Sequence, residues 1–224
     1  LMCKNDVLQT QARFTIPSSR GCPTCSAVRL RGLDVIPLVV LMLLDVTGSM
    51  QEAIDGARRA LRGLMRTLQN GGIDPAFALV LFRDEMYQEM PEVHAIGTSV
   101  TTLETALEQT RAAGGGDVPE SALPAIKRAL DLRGGPPDAR KVMLFVSDAP
   151  PHDPEAGLSA KAVGARLLQE GVRFFACTPD IEPYRSFVET TGGELFPLHD
   201  AMTEDEFQAL LGAVGRATVK TVRA

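Results

Sequence analysis

Three oxygen-bearing side chains alternate along one short polar segment, at Asp45, Thr47 and Ser49. Alternate residues of an extended segment point to the same side, so one carboxylate and two hydroxyls are expected to face a common point. Such oxygens are ligands of hard cations, which favours Mg²⁺, with Mn²⁺ or Ca²⁺ as alternatives. The same side chains could instead cap the helix that follows, and the segment alone does not decide between these interpretations.

Two later polar segments carry further oxygen donors. Asp117 and Glu120 follow three glycines at 114–116, and Asp148 follows an apolar run. The glycines could also form a simple linker; a phosphate-binding loop is not expected, because no Gly-Lys-Ser/Thr follows them. Glu120 could equally be a charge at a helix N-terminus, and Asp148 could be a turn residue. A metal site therefore requires a fold that brings the three segments together.

The elements that would position these segments follow from the hydrophobic pattern. Continuous apolar runs predict buried strands at 35–44, 77–82, 142–146 and 172–177, with a short edge strand at 194–197. Apolar residues at spacings of three and four predict helices at 54–68, 98–111, 120–132, 155–170, 183–190 and 203–217. The last helix begins with a capping-box pattern, Thr203 and Glu206.

This alternation of strands and helices predicts an α/β fold, with a doubly wound, mostly parallel central sheet flanked by helices. Ligands of such sheets bind beyond the carboxyl ends of the strands, at the switch in strand order. That rule selects the polar loops at 45–49, 114–121 and 147–153 as the place to look for a site.

The chain is divided into an irregular N-terminal arm at 1–33, the predicted domain at 34–218 and a C-terminal tail at 219–224. Cys22 and Cys25 in the arm have CxxC spacing, but a structural zinc site needs four ligands and only Cys3 is nearby. We interpret this pair as incidental or as a local turn, with a metal or disulfide role as the alternative.

Four other residues are given structural interpretations. Cys177 lies in an apolar run and is expected in the core. His152 is interpreted as a surface-loop histidine and not as a metal ligand. Arg83 and Asp84 are interpreted as a local structural pair, with binding at the rim of the sheet as the alternative.

Composition excludes some classes of partner. The net charge of −5 and the pI near 5.3 argue against a nucleic-acid partner, which usually needs a basic face. No apolar run approaches the roughly 18 residues of a membrane span. The N-terminus lacks a signal-peptide pattern and the cysteines look unpaired, which favours a cytoplasmic location and leaves an extracellular one open.

Three motifs together resemble a known family. DVTGSM, directly after an apolar strand, resembles the metal-ion-dependent adhesion site (MIDAS) of von Willebrand factor A (VWA) domains, with its signature Asp-x-Ser/Thr-x-Ser. GGGDVPES and SDAPPHD resemble the second and third metal loops of a subfamily that includes hemicentin-like and alpha-kinase-associated VWA domains, and LFRD resembles a strand of that subfamily that ends in Arg-Asp. The resemblance covers about residues 35–218, in the right order.

The resemblance implies a role for four of the candidate residues. Thr47 and Ser49 would be hydroxyl ligands of the metal. Asp45 and Asp148 would act mostly through metal-bound water. In members with this ligand set the metal stays electrophilic, and an acidic group of a protein partner completes its coordination.

Two further candidates depart from that pattern. Asp117 stands where many members have a threonine ligand. Glu120 resembles a glutamate that reaches the metal in integrin beta subunits, whose loop also has an Asp-x-Pro-Glu pattern. Either acid could supply negative charge from within the domain, so how strongly the metal needs an acidic partner stays open.

The implied function is a non-catalytic, divalent-metal-dependent protein-binding module, whose partner places an acidic side chain above Ser49. An alternative is an intracellular adaptor for an AAA+ ATPase or a kinase, with a mainly structural metal. A minor alternative is a metal-dependent phosphotransfer enzyme. Haloacid-dehalogenase-type phosphatases also have an aspartate after the first strand, but they need a second acid where this chain has Thr47. No Gly-x-Ser-x-Gly elbow occurs either, so catalysis is not expected.

Overall fold

A computed structural model of the chain describes residues 35–116, 118–198 and 203–224. The predicted arm at 1–33, with Cys22 and Cys25, lies outside the described residues, as does Asp117. The described part contains a six-stranded sheet with strands β1 (Ile36–Asp45), β2 (Ile73–Phe82), β3 (Glu92–His94), β4 (Arg140–Val146), β5 (Val172–Thr178) and β6 (Leu195–Pro197). Their order across the sheet is β3-β2-β1-β4-β5-β6. All neighbours are parallel except β3, which is antiparallel to β2.

Six α-helices connect or follow these strands: α1 (Gln51–Asn70), α2 (Val100–Gln109), α3 (Ala122–Asp131), α4 (Ala160–Gln169), α5 (Tyr184–Thr191) and α6 (Glu204–Arg223). Helices α1, α2 and α6 cover one face of the sheet, and α3, α4 and α5 cover the other. The predicted α/β fold with a mostly parallel, helix-flanked sheet is therefore confirmed. No helix in the described ranges is long and apolar enough to cross a membrane.

The central strand β1 shows why its sequence is continuously apolar. Its side chains alternate between the two helix layers, so neither face of the strand meets water. Leu38, Val40 and Met42 pack into the core under α1 and α6, whereas Val39 and Leu41 pack into the core under α3 and α4. Cys177 of β5 lies in the first of these cores, as expected.

Several predicted boundaries were wrong. Strand β2 begins at Ile73, before the expected start at residue 77. Pro75 is tolerated there because this part of β2 pairs only with β1, so its missing N–H removes no hydrogen bond to a third strand. Strand β3 was not predicted. Helix α3 begins at Ala122 and not at Glu120, since Glu120 pairs with Pro151 in an isolated bridge.

The predicted tail at 219–224 was also wrong, because helix α6 continues to Arg223. Its final turns pack on α1: Val222 is buried, and Val219 lies against Gly71. The predicted capping box is confirmed, since the Thr203 hydroxyl accepts a hydrogen bond from the Glu206 amide and the Glu206 side chain accepts one from the Thr203 amide. This helix therefore belongs to the domain up to its last turn.

The contact between α1 and α6 predicts opposite effects for two glycines of α1. A Cβ atom at Gly56 would lie 2.7 Å from Cδ1 and 2.8 Å from Cβ of Phe207, whereas Gly63 has nothing within 4 Å. We expect Gly56→Ala to lower the free energy of unfolding by about 1–3 kcal/mol through overpacking. The matched control Gly63→Ala should raise it by up to about 1 kcal/mol through helix propensity. Urea denaturation measures both, and equal stability of the two variants would contradict this packing.

Candidate functional site

The strand order places a crevice at the carboxyl ends of β1 and β4. The chain leaves β1 toward α1 and β2 on one side, while β4 and β5 extend the sheet on the other. Loops that leave neighbouring strands in opposite directions open a crevice between them, which is where such sheets bind ligands. Asp45 is the last residue of β1, and Ser147 and Asp148 directly follow β4.

Hydrogen bonds hold both oxygens of the Asp45 carboxylate. The backbone amide and the hydroxyl of Thr47 donate to Oδ1 at 2.9 and 2.7 Å, and the hydroxyl of Ser147 donates to Oδ2 at 2.7 Å. The Thr47 hydroxyl therefore donates its hydrogen bond to Asp45, and its lone pairs stay available to another group. Asp45 and Thr47 are buried, whereas Ser49 is exposed in the 3-10 turn that precedes α1.

The glycine loop brings Glu120 against Thr47. The amide of Ala113 donates to the carbonyl of Val46 at 3.1 Å, which ties this loop to the end of β1. A Cβ atom at Gly115 would lie 2.5 Å from Oε1 of Glu120 and 2.7 Å from Cγ2 of Thr47, and the backbone of Gly115 has a φ of +85°. Both the space and the left-handed backbone require glycine at this position.

Glu120 is fixed by its backbone while its side chain lacks a complete set of partners. Its amide donates to the carbonyl of Pro150 at 3.0 Å, and its carbonyl accepts from the amide of His152 at 3.1 Å. The residue is only 4% exposed, and Oε2 is buried with no hydrogen-bond partner. A buried carboxylate oxygen without a partner is costly, so this atom is suited to contact a ligand or to hold a proton.

Burial and like charge raise the pKa of two carboxyls at this crevice. Burial raises the pKa of Asp45 to about 6, against the lowering effect of its hydrogen bonds from Thr47 and Ser147. Burial also raises the pKa of Glu120 to about 8, and the negative charges of Asp45 and Asp84 add to the effect. Asp148 contributes repulsion to both groups, although it is itself partly exposed. The charged neighbours with the largest effects on these two pKa values are all acidic.

A buried polar network lies behind Glu120. The Ser121 hydroxyl is 3.0 Å from Oδ1 of Asp84 and 2.6 Å from Oε1 of Glu155. One hydroxyl proton cannot serve two carboxylates, and burial raises the pKa of Glu155, so this carboxyl is suited to hold a proton. Nε2 of His152 lies 3.2 Å from Oδ2 of Asp84. The expectation of a surface histidine was therefore wrong: His152 is mostly buried and closes this network.

Arg83 and Asp84 have structural roles, but they do not form a pair with each other. The Arg83 guanidinium donates to the carbonyls of Ala113 and Arg111, which anchors the start of the glycine loop. Asp84 is fully buried and accepts from the amide of Met86 as well as from the network above. Each residue thus holds a different segment near the crevice.

Two residues that position the site were not predicted. Ser147 could have been found from its place directly after a predicted strand, beside Asp148. Glu89 has no such signal, since it lies outside the motifs; its Oε2 accepts from the amide of Gly115 at 3.0 Å and holds the glycine loop from outside.

Five of the six predicted candidates divide into two groups, and the sixth, Asp117, lies outside the described residues. Asp45, Thr47 and Glu120 lie together, and Asp148 is near enough to raise the pKa of both carboxyls. Ser49 lies two residues beyond Thr47 and faces solvent. In the described ranges, no three His, Cys, Asp or Glu side chains are placed to hold a metal by themselves. A cation here would therefore depend on the hydroxyls, on water and on a partner.

Comparison with known proteins identifies the family. Residues 39–174, more than half of the chain, match the family described as von Willebrand factor A domain. The chain belongs to the VWA domain family. VWA domains are typically protein-interaction modules.

One curated relative shares the family name, and one solved structure shares the fold. The VWA domain is 28% identical over 208 residues to the mouse (Mus musculus) von Willebrand factor A domain-containing protein 7, a match that covers 78% of this chain and 21% of that protein. The chain thus spans about a fifth of that relative's length. Its fold is similar to that of proximal thread matrix protein 1 from the mussel byssus, with a TM-score of 0.61, 15% identity, and coverage of 82% of this chain and 48% of that chain.

The raised pKa of Glu120 predicts how the metal-free VWA domain responds to pH. The folded state holds this proton more tightly than the unfolded chain, so the resulting stability is complete below about pH 4.5 and is lost as pH rises through about 8. In EDTA at pH 9, Glu120→Gln should raise the melting temperature by about 3 °C or more, because a neutral isostere avoids the buried charge. The gain should be smaller at pH 5.

The control is Glu189→Gln, which changes an exposed carboxylate on α5. It should leave the melting temperature unchanged at both pH values. The assignment of the buried charge to Glu120 would be contradicted if the melting-temperature difference between Glu120→Gln and the wild type were the same at pH 9 as at pH 5.

Proposed function

We propose that this VWA domain is a non-catalytic, divalent-metal-dependent protein-binding module with a MIDAS at the crevice between β1 and β4. Mg²⁺ is the proposed cation, with Mn²⁺ or Ca²⁺ as alternatives. The residues that would hold it, directly or through water, are Asp45, Thr47, Ser49, Asp117, Glu120 and Asp148. The metal would supply positive charge and an open coordination position for an acidic side chain of the partner.

The observation that carries the proposal is the unpartnered Oε2 of Glu120. It is buried, the other oxygen of the same carboxyl lies near Thr47 beside Gly115, and the charges that act most strongly on this carboxyl, those of Asp45 and Asp84, are also negative. Protonation is one way to relieve this repulsion, and a divalent cation is the other. Because the candidate donors here are carboxylate and hydroxyl oxygens, and the ring of His152 is engaged with Asp84, the donor set suits Mg²⁺.

The hydrogen bonds of Asp45 support an indirect role for this residue. Both of its oxygens already accept hydrogen bonds, Oδ1 from Thr47 and Oδ2 from Ser147. Asp45 would thus orient the Thr47 hydroxyl, whose lone pairs remain available, and would attract the cation through its charge. Ser147 would be a positioning residue of the site.

The exposure of the site supports a protein partner. Ser49 is exposed and Asp148 is partly exposed, while Asp45 and Glu120 lie beneath them. A partner side chain could therefore reach the open side of the cation without rearrangement of the sheet. A non-catalytic role is supported by Thr47, which stands where a general acid of the phosphatase type would be needed.

Titration calorimetry with Mg²⁺ tests the metal site. The wild-type chain should bind one Mg²⁺, and at 100 times the dissociation constant the metal should stabilise the fold by about 2.7 kcal/mol, or about 5–10 °C in melting temperature. Ser49→Ala should weaken Mg²⁺ binding by about tenfold or more, with an unchanged melting temperature in EDTA. The matched control Thr101→Ala changes an exposed hydroxyl on α2 and should bind as wild type does.

Absence of Mg²⁺, Mn²⁺ and Ca²⁺ binding by the wild-type chain would overturn the proposal. Asp45→Ala should abolish binding as well, and its melting temperature in EDTA would reveal any loss of fold. If a captured partner stayed bound after Asp45→Ala or in EDTA, an adaptor with a mainly structural metal would be favoured instead. Mg²⁺-dependent hydrolysis of p-nitrophenyl phosphate that is lost in Asp45→Ala would favour the enzyme.

A further inference from the structure

Four exposed apolar side chains lie beside the candidate metal site, and we refer to them as the apolar rim. Met86, Tyr87, Met90 and Val118 are 67%, 54%, 62% and 68% exposed. Three of them belong to the loop between β2 and β3, and Val118 lies two residues before Glu120. Large apolar side chains exposed together, as opposed to singly, indicate an interaction surface.

Three contacts join this loop to the segment 114–121. Glu85 donates its amide to the Ser121 hydroxyl at 2.7 Å, and Glu89 accepts from the Gly115 amide at 3.0 Å. A Cβ atom at Gly116 would lie 2.5 Å from the ring of Tyr87. The apolar rim is therefore continuous with the loop that carries Glu120, and a partner bound at the metal would extend over it.

The charges around the apolar rim restrict what can bind there. Glu85, Glu89 and Glu92 belong to the same segment as the rim, and Asp148 lies across the crevice. Arg128 is already paired with Glu85 at 3.0 Å. A partner with several acidic residues would be repelled everywhere except at the cation. A partner with one carboxylate and apolar neighbours meets no such repulsion.

We propose that the apolar rim is the specificity surface of this domain, and that it binds a protein segment in which a single carboxylate is flanked by aliphatic or aromatic side chains. The inference rests on the proposed metal-dependent function, because the carboxylate of that segment takes the open position at the metal. Methionine side chains adapt to the shape of a ligand, and tyrosine contributes a large contact area. The rim thus supplies apolar contact that the polar crevice lacks.

A peptide array tests the proposal, with a central Asp in each peptide and randomised residues on both sides. The full 224-residue chain is applied in Mg²⁺ and again in EDTA. Peptides that are retained in Mg²⁺ but not in EDTA should share aliphatic or aromatic residues next to the Asp and should lack further acids. Fluorescence anisotropy then gives the affinity of the best peptides for each variant.

The decisive variant is Met86→Ser/Met90→Ser, which changes exposed side chains and leaves every proposed metal ligand in place. We expect it to lower peptide affinity by about tenfold while Mg²⁺ affinity stays at the wild-type value. The matched control is Leu168→Ser, an apolar residue that is 56% exposed near the end of α4, away from the carboxyl ends of the strands. It should bind peptide as wild type does.

The other outcomes separate the two proposals. Loss of Mg²⁺ binding by the wild type would remove the proposed function and the rim proposal with it. Normal Mg²⁺ binding together with peptides that need the Asp but show no flanking preference would overturn the rim proposal alone, as would equal peptide affinity of the double variant. Self-association of the chain, or flotation with phosphatidylserine vesicles, that is lost in the double variant would assign the rim to a second copy or to a membrane instead.

Discussion

Asp45 and Glu120 come together at the end of the central strand, and the charges that act most strongly on their pKa values are acidic. Burial and mutual repulsion both oppose their ionisation, so the metal-free fold must hold protons there or lose stability as pH rises. Two buried carboxyls that repel each other gain nothing from packing alone. The crevice, the glycine loop and the loop after β4 keep these oxygens close, as the proposed cation site requires.

Hydrogen bonds and a glycine, with little help from side-chain ion pairs, hold the Asp45 and Glu120 carboxyls close together. Asp45 is fixed by Thr47 and Ser147, and Glu120 is fixed through its own amide and carbonyl. Gly115 permits the close approach that any Cβ would block. Because several of these contacts join residues that lie 30 to 102 positions apart, the site is a property of the tertiary fold, built on the parallel strands that align the loops.

Features that leave a local pattern in the sequence could be predicted, whereas features built from distant residues could not. The apolar run of β1 and the polar segment after it predict the central strand and its site, because burial on both faces leaves a direct trace in the sequence. The network of Asp84, Ser121 and Glu155 leaves none, since its members come from three separate loops. Helix α6 extends beyond its predicted end at residue 217, because Val219 and Val222 continue the apolar spacing and pack in the structure.

The hydrogen bonds also bear on what a cation would change. Asp45, Thr47 and the backbone of Glu120 already have fixed positions in the metal-free fold, so a proposed metal need not organise them. Its effect would be mainly on charge: it would replace the proton favoured by Glu120 and reverse the repulsion that an acidic partner meets at this face. Metal binding and partner binding would then be coupled through electrostatics, and the apolar contacts beside the crevice would decide among partners that carry the same carboxylate.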